Sequence, residues 1–200
     1  MHTWKILLIG ALLFIFSPSE IQAQEKLNKP VVMIMINEQI WVDNRIIYDY
    51  YGSLTNILNI WTSVSQTDTT FMGTFLEKGF RIVGSGFHNT TEGNVSKEDI
   101  LKAIEGDDLT STHLGNYLNA DVIIVGKAIA RGVSVLPGSR QKSARANINV
   151  RAIKVDTAEI IAVESGNATA AAIDEISAGV EAIKRAAEPI AKNLAKKIAQ

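Results

Sequence analysis

The apolar positions of the chain predict five β-strands. Two of them, 31–37 and 122–130, are continuous apolar runs of strand length, which is typical of strands buried on both faces of a sheet. Pro30 marks the start of the first run, and Gly79 and Gly84 enclose a shorter one between them. The predicted strands are 31–37, 80–83, 122–130, 144–152 and 159–172.

Residues 144–152 alternate without interruption between the two faces of a strand. Small or apolar side chains face one way, and arginines and asparagines face the other, as in an antiparallel strand with one buried face. Apolar Ile153 follows apolar Ala152, which predicts a β-bulge near the strand end. A tight turn at 156–158 then leads into the last strand. The predicted inward positions are Ala144, Ala146, Ile148, Val150 and Ala152.

Helical apolar spacing and capping residues predict four helices before the last segment of the chain. They cover 53–62, 65–78, 96–106 and 108–119, and residues 38–52 are expected to form a loop. Ser65 or Thr67 is expected to cap the second helix, and the sequence SKED from Ser96 is a capping box for the third. The predicted buried positions of the third and fourth helices are Ile100, Leu101, Ile104, Leu109, Leu114 and Leu118.

The C-terminal segment from Ile173 onward has the pattern of a long amphipathic helix. Pro189 removes one backbone donor, which predicts a kink or a brief break. The apolar stripe predicts packing against the sheet of the same chain; a coiled coil or a partner's groove is the alternative. The stripe consists of Ile173, Ile176, Val180, Ile183, Ala187, Ile190, Leu194 and Ile198. The opposite face carries Glu181, Lys184, Arg185, Glu188, Lys192, Lys196 and Lys197.

These elements together predict an α+β fold of the two-layer α/β kind. The expected architecture is a mixed sheet of about five strands with helices on one face and the long helix at the C-terminus. Residues 30–200 are expected to form a single domain, since their number suits one core.

The N-terminal segment has the plan of a secretory signal peptide. The apolar run 6–16 is shorter than the roughly 20 residues that span a bilayer. Lys5 precedes it, a Ser-Pro-Ser breaker follows it, and Ala23 offers a small residue for cleavage. We therefore expect residues 1–23 to be removed, 24–29 to form a flexible lead-in, and the mature chain to have no transmembrane segment.

The cysteine count and the net charge exclude some kinds of site, anchor and partner. The chain has no cysteine, so it has no disulfide, no thiolate metal site and no lipidated cysteine after the signal. Its formal net charge of −1 gives no electrostatic footprint for nucleic acid. We expect an unlipidated, soluble protein of the periplasm.

The sequence contains no set of residues typical of catalysis. The two histidines beyond the signal, His88 and His113, are far apart and lack a second metal ligand at helical spacing. Gly84-Ser85-Gly86 lacks the third glycine and the lysine of a phosphate-binding loop. The acidic group Glu105, Asp107 and Asp108 is expected to end one helix and start the next, with cation binding as the alternative. We therefore predict no catalytic residues, no cofactor, no metal and no enzymatic activity.

Four segments together resemble one bacterial envelope superfamily. They are KPVVMIMI (29–36), FLEKGFRIVG (75–84), LNADVIIVGKAIA (118–130) and the hairpin 144–170, in which Ala158 stands where the family has a turn glycine. The superfamily includes the curli secretion channel subunit, the amino-terminal domain of TolB, the flagellar assembly protein T and the lipoprotein activators of penicillin-binding proteins. The chain departs from the curli channel in lacking a lipobox cysteine. Its connection 131–143 is also shorter than the paired hairpin that the channel carries there.

The resemblance implies a non-enzymatic protein that docks by protein–protein contacts on an outer-membrane, flagellar or secretion assembly. Such families often form rings, so a homo-oligomer is expected. The alternative is a binding module for a small ligand or cell-wall fragment, using the loop 84–94 with Trp41 or Trp61 as a stacking platform. The aromatic segment 41–61 has ordinary core packing as its other interpretation. The candidate partner contacts are Trp41, Tyr48, Tyr50, Tyr51, Trp61, Lys192, Lys196 and Lys197.

Overall fold

A computed structural model of the 200-residue chain describes residues 29–48, 54–63, 65–84, 96–135 and 141–200. The predicted signal peptide lies outside the described residues, as do Tyr50, Tyr51 and all of the loop 84–94 except Gly84. The expectations for these segments, and for the lead-in before Lys29, stay predictions.

The described residues form six strands and four α-helices. In chain order they are β1 Val31–Tyr48, β2 Leu54–Ser63, α1 Gln66–Glu77, β3 Arg81–Val83, α2 Lys97–Glu105, α3 Asp108–Tyr117, β4 Val122–Val135, β5 Lys142–Lys154, β6 Ile160–Ala172 and α4 Glu175–Ile198.

The strands form one mixed sheet in the order β2-β1-β4-β5-β6. β1 runs parallel to β4 and to the short β3, which pairs only with Val31, Val32 and Met33. The β1–β2, β4–β5 and β5–β6 pairs are antiparallel. The predicted α+β class with a mixed sheet and a long C-terminal helix is confirmed.

Residues 38–48 and 54–62 lie in two paired antiparallel strands, where a loop and a helix were predicted. β1 runs on to Tyr48 and pairs with β2, with Trp41 and Trp61 as register partners. The predicted helix at 53–62 is therefore wrong. The segment LTNILNIWTS is rich in threonine and isoleucine, whose branched side chains favour strands. Pairing with β1 also satisfies its backbone groups, which outweighs a weak helical periodicity.

Apolar side chains pack against helices on both faces of the sheet. On one face, Val32 and Ile34 of β1 belong to a core with residues of α1 and α4. On the other face, Met33 and Met35 belong to a second core with residues of α2 and α3. Helices therefore lie on both faces, which corrects the expectation that all of them lie on one. A strand with apolar residues at both odd and even positions requires cover on each side.

The predicted alternation in β5 is confirmed, since all five inward positions are buried. The predicted bulge is also confirmed, because the register with β6 shifts between Ala152 and Ile153. Ile153 is fully buried in the core formed with α2 and α3, because that end of the second face is covered.

The short helices begin close to their predicted residues. In α2, the Ser96 hydroxyl accepts a hydrogen bond from the Asp99 N–H, and the Asp99 carboxylate accepts from Ser96, which confirms the capping box. Gly106 ends this helix with a φ of 125°. Ser65 lies at the N-cap of α1, but its side chain makes no capping hydrogen bond.

Two leucines predicted to be inward are exposed. Leu101 is 44% exposed and Leu109 is 78% exposed. In α2, Ile100, Ala103 and Ile104 cover the sheet, and Leu101 follows Ile100 by about 100° around the helix. Leu114 is buried as predicted, and Leu118 is partly buried against the same core.

The long helix α4 packs its apolar stripe against the sheet of the same chain, as predicted. Ile183, Ile190 and Leu194 are buried, whereas Ile173, which precedes the helix, and Ile176 in its first turn are exposed. The helix is continuous through Pro189, so the predicted break does not occur. Among the described helices, none is long and apolar enough to cross a bilayer.

The β4–β5 hairpin is longer than expected. Residues 131–143 were predicted to connect two strands, but Ser134 pairs with Ser143 and Val135 with Lys142. Residues 131–135 continue β4, and β5 begins correspondingly at Lys142. The two strands therefore extend beyond their predicted ends at 130 and 144. That the segment is shorter than the paired hairpin of the curli channel stays a prediction.

Candidate functional site

The acidic cluster between α2 and α3 has a structural role. The Asp107 carboxylate caps α3 by accepting from the Leu109 N–H at 3.1 Å and from the Thr110 N–H at 3.2 Å. Hydrogen bonds from Thr110 hold the pKa of Asp107 below its usual range. Asp108 Oδ1 lies 2.7 Å from Arg151 Nη2. His113 is exposed, and the described residues include no group of three or more potential metal ligands.

A buried and a half-buried carboxyl group lie close together at the start of α1. Glu38, from the middle of β1, accepts from the Gln66 N–H at 3.1 Å and from the Thr67 N–H at 2.5 Å. Burial and the nearby Glu38 carboxylate raise the pKa of Asp68 to about 7, although a hydrogen bond with the Ile36 backbone opposes the rise. Glu38 thus caps a helix from the neighbouring strand, and its carboxylate oxygens are engaged there.

One part of the sheet is left open to solvent. On the face that α2 and α3 cover at one end, the side chains of three cross-strand rows of β1, β4, β5 and β6 are exposed or half-buried. We call this surface the open face. It consists of three cross-strand rows: Asn37, Lys127, Asn149 and Ser165; Gln39, Ile129, Asn147 and Asn167; and Trp41, Arg131, Arg145 and Thr169.

The open face carries positive charge and no carboxylate. Lys127, Arg131 and Arg145 are its ionisable members, and among the described residues none of the three has an ion-pair partner. Most of the remaining members are asparagine, glutamine, serine or threonine. In a chain with a net charge of −1, this is a local concentration of cations and neutral hydrogen-bonding groups.

Two arginines lie directly opposite each other on this face. Arg131 of β4 and Arg145 of β5 are register partners. The Arg131 guanidinium lies 5.6 Å from the centre of the Trp41 ring, and Arg145 Nη2 donates to Asn167 Oδ1 at 3.5 Å. Like charges opposite each other across a ladder destabilise a sheet. The cation–π contact with Trp41 offsets part of this cost.

The structure divides the predicted partner contacts among three places. Trp41 is half-buried at the edge of the open face. Tyr48 and Trp61 lie in the β1–β2 hairpin, and Tyr50 and Tyr51 lie outside the described residues. Lys197 Nζ lies 2.5 Å from Glu164 Oε1 in β6, so this lysine is engaged within the chain.

The other two predicted lysines line a cleft at the ends of two helices. Lys192 and Lys196 of α4 face Lys29 and Lys78 around a cleft of about 490 Å³, with Phe80 in its wall. The Lys29 ammonium donates to the Lys78 carbonyl and lies 5.4 Å from the centre of the Phe80 ring. Lys78 and Lys196 lie at the C-terminal ends of α1 and α4, where a positive charge complements the helix dipole. The positions of these two lysines therefore have a structural explanation.

The cations of the open face were absent from the residues predicted to bind a partner. The signal for one of them was present, because the outward positions of β5 alternate with buried alanines and include Arg145. Arg145 lies on the same face as Lys127 and Arg131 because of the register between β4 and β5, which no local sequence pattern specifies.

Comparisons with known proteins give low similarities to solved structures and no match by sequence. No family model matches the chain, and no curated protein matches it by sequence. Similar solved structures include the PelC dodecamer from Paraburkholderia phytofirmans, with 8% identity over 81% of this chain and 86% of that chain and a TM-score of 0.41. Lipoprotein GNA1162 from Neisseria meningitidis has 9% identity over 76% and 90% and a TM-score of 0.42. The C-terminal domain of LpoB from Salmonella enterica has 14% identity over 69% and 81% and a TM-score of 0.33.

These three structures are of bacterial envelope proteins of the same fold class. Likeness at this level carries no argument about activity or partners. The comparisons identify no specific superfamily, so the resemblance to the curli channel, TolB and flagellar proteins stays a prediction.

Proposed function

We propose that this chain is a non-enzymatic protein of the bacterial cell envelope that docks on a protein assembly through its β1–β2 hairpin. The part of the hairpin beyond Trp41, in which residues 42–48 pair with 54–60, is called the arm below. The observation that carries the proposal is that the arm is a two-stranded extension of a wider sheet.

The strand register defines where the arm begins. β4 pairs with β1 as far as Trp41, whose partner is Arg131, and β3 pairs only with the first residues of β1. Beyond Trp41, β2 is therefore the one strand that pairs with β1. Among the described elements, β1 is also the only one with which β2 makes extensive contact.

The arm is rich in apolar residues for a two-stranded ribbon. Its register pairs include Val42 with Ile60 and Ile46 with Ile57. An isolated two-stranded hairpin is marginally stable in water, and it gains stability when a third strand or another surface covers it. Removal of apolar area from water is the main favourable term in most protein association, so a ribbon of this composition suits a docking element.

The partner we propose is a component of an outer-membrane, flagellar or secretion assembly. Predicted export by a cleaved signal peptide and the resemblance to envelope proteins support this choice. We also propose that the chain is located in the periplasm, carries no lipid and forms a homo-oligomer. Lys192 and Lys196 form a second candidate contact on the opposite side of the sheet from the open face.

Photo-crosslinking in cells tests the docking. A photoreactive amino acid replaces Ile47 or its register partner Asn56 in the arm. The control position is Lys184, which is exposed on α4. Irradiation is expected to give adducts with one envelope protein from both arm positions and not from Lys184, as identified by mass spectrometry.

The outcomes separate the alternatives. Adducts with a second copy of this chain would support the oligomer and contradict docking on a different protein. Equal adduct formation from the arm and from Lys184, or no adduct from the arm, would sink the proposal.

A binding module for a small ligand or cell-wall fragment is the second candidate function. The open face favours it, since that surface is polar, exposed and distinct from the arm.

A further inference from the structure

The opposed arginines of the open face need an explanation other than stability. Arg131 and Arg145 are directly opposite each other, with Cβ atoms about 5 Å apart in such a pair. Neither has a carboxylate partner among the described residues. The pair therefore disfavours the sheet, and a bound anion would reverse that cost.

Two guanidinium groups at this separation suit a carboxylate ligand. Arginine presents planar donors that bind a carboxylate through two parallel hydrogen bonds. Lys127 lies on the same face about 13 Å along β4 from Arg131, given the rise of each residue in a strand. The face thus offers two separated positions for negative charge, which suits a polymer that carries several acidic groups.

The residues between the cations match hydroxyl groups. Asn147 and Asn167 are register partners, and Asn149 pairs with Ser165 in the next row. Amide side chains both donate and accept hydrogen bonds, as sugar hydroxyls do. Trp41 stands beside Arg131 at the edge of the face, where an indole can cover the apolar face of a sugar ring.

A protein partner fits this surface less well. The centres of protein interfaces are depleted of lysine, and the tryptophans and arginines that are enriched there lie in well-packed, desolvated pockets. The open face has Ile129 as its one aliphatic member, and that residue is flanked by Gln39 and Asn147 in its row.

We infer that the open face is a binding site for an acidic polysaccharide, with Arg131 and Arg145 holding a carboxylate of one sugar and Lys127 that of another. The amide rows hydrogen-bond the hydroxyl groups between them, and Trp41 stacks on a sugar ring. The inference does not depend on the arm, which lies beyond Trp41 and carries the proposed docking function.

Calorimetric titration of the full chain tests the site. The probes are polygalacturonate, whose sugars each carry a carboxylate, neutral dextran, and polyglutamate as an acidic chain without sugars. Polygalacturonate is expected to bind at physiological salt, dextran to show no binding, and polyglutamate to bind more weakly. The double variant Arg131→Gln, Arg145→Gln is expected to lose about tenfold in affinity or more, which is the range for losing a charge-assisted contact.

The matched control is Lys184→Gln, Arg185→Gln, which removes two positive charges from the exposed side of α4, on the opposite side of the sheet from the open face. Its affinity for polygalacturonate is expected to equal that of the parent. The conservative variant Arg131→Lys, Arg145→Lys keeps the charge and loses the planar donors, so an intermediate affinity is expected. Thermal unfolding checks that all variants fold. The Arg131→Gln, Arg145→Gln variant is expected to lose no stability, because it removes the repulsion between two opposed positive charges.

Three results would overturn the inference. Equal losses in the two double glutamine variants would indicate binding by overall charge. Polyglutamate binding as tight as polygalacturonate would indicate an acidic peptide surface and not a glycan site. Undiminished polygalacturonate binding by the Arg131→Gln, Arg145→Gln variant would exclude this face. Failure of the arm to crosslink would leave all three results unaffected.

Discussion

At the scale of single residues, the protein keeps an acidic side chain in surroundings that disfavour its charge. Asp68 Oδ1 is buried without a hydrogen-bond partner, close to the Glu38 carboxylate. The carboxyl therefore retains its proton in the folded chain to a pH well above the ordinary range of aspartate.

This arrangement predicts that the free energy of unfolding decreases between about pH 4 and pH 7. The folded-state pKa of Asp68 is about 7 and the ordinary value is 3.8. Over this interval the unfolded chain releases the proton and the folded chain retains it. The contribution of protonated Asp68 to the free energy of unfolding is present in full below pH 3.8 and is lost as pH rises to about 7. The total loss is about 2–4 kcal/mol. Urea denaturation at a series of pH values measures it.

Asp68→Asn is expected to flatten this pH dependence and to raise stability above pH 7. The control is Asp156→Asn at the exposed turn after β5. Hydrogen bonds from Lys154 lower the pKa of Asp156, so its contribution is lost as pH falls and has the opposite sign. A steeper pH dependence of the free energy of unfolding above pH 4 in Asp68→Asn would contradict the burial assigned to the Asp68 carboxyl.

At the scale of elements, the helix caps differ in whether the sequence near the helix predicts them. The capping box of α2 and the Asp107 cap of α3 bring together residues that are two or three positions apart. Both could be predicted because their partners are neighbours in the chain. The cap of α1 comes from Glu38, 28 positions away in β1, and the expected Ser65 cap does not form.

Removal of this distant cap is expected to destabilise the protein. Glu38→Ala leaves the Gln66 and Thr67 N–H groups without their acceptor, at a cost of about 2 kcal/mol. Ser65→Ala removes a side chain that makes no cap and is expected to change stability little. Chemical denaturation of both variants measures the difference. A larger loss in Ser65→Ala would contradict the structure.

At the scale of the whole molecule, one sheet joins two cores. The larger core lies between the sheet and α1 and α4, and the smaller one lies under α2 and α3 at one end. Because the smaller core covers only that end, the three rows of the open face on the same side are exposed or half-buried.

The larger core is expected to provide most of the stability of the fold. Leu194→Ala in α4 removes a fully buried side chain and is expected to cost about 2–5 kcal/mol. Ile173→Ala is its matched control, since Ile173 belongs to the same predicted stripe but is 87% exposed. Thermal unfolding of the two variants distinguishes them. Similar losses in both would contradict the packing of α4.

The sequence by itself determined the α+β class, the alternation of β5, the local helix caps and the long amphipathic helix α4. Each of these depends on residues within a few positions of one another, so period and capping chemistry suffice to reveal them. Only the tertiary structure decided that 54–63 is a strand, that Glu38 caps α1, and that Arg131 opposes Arg145. Strand pairing joins residues that are distant in the chain, and a shift of one position in register would move every side chain to the other face.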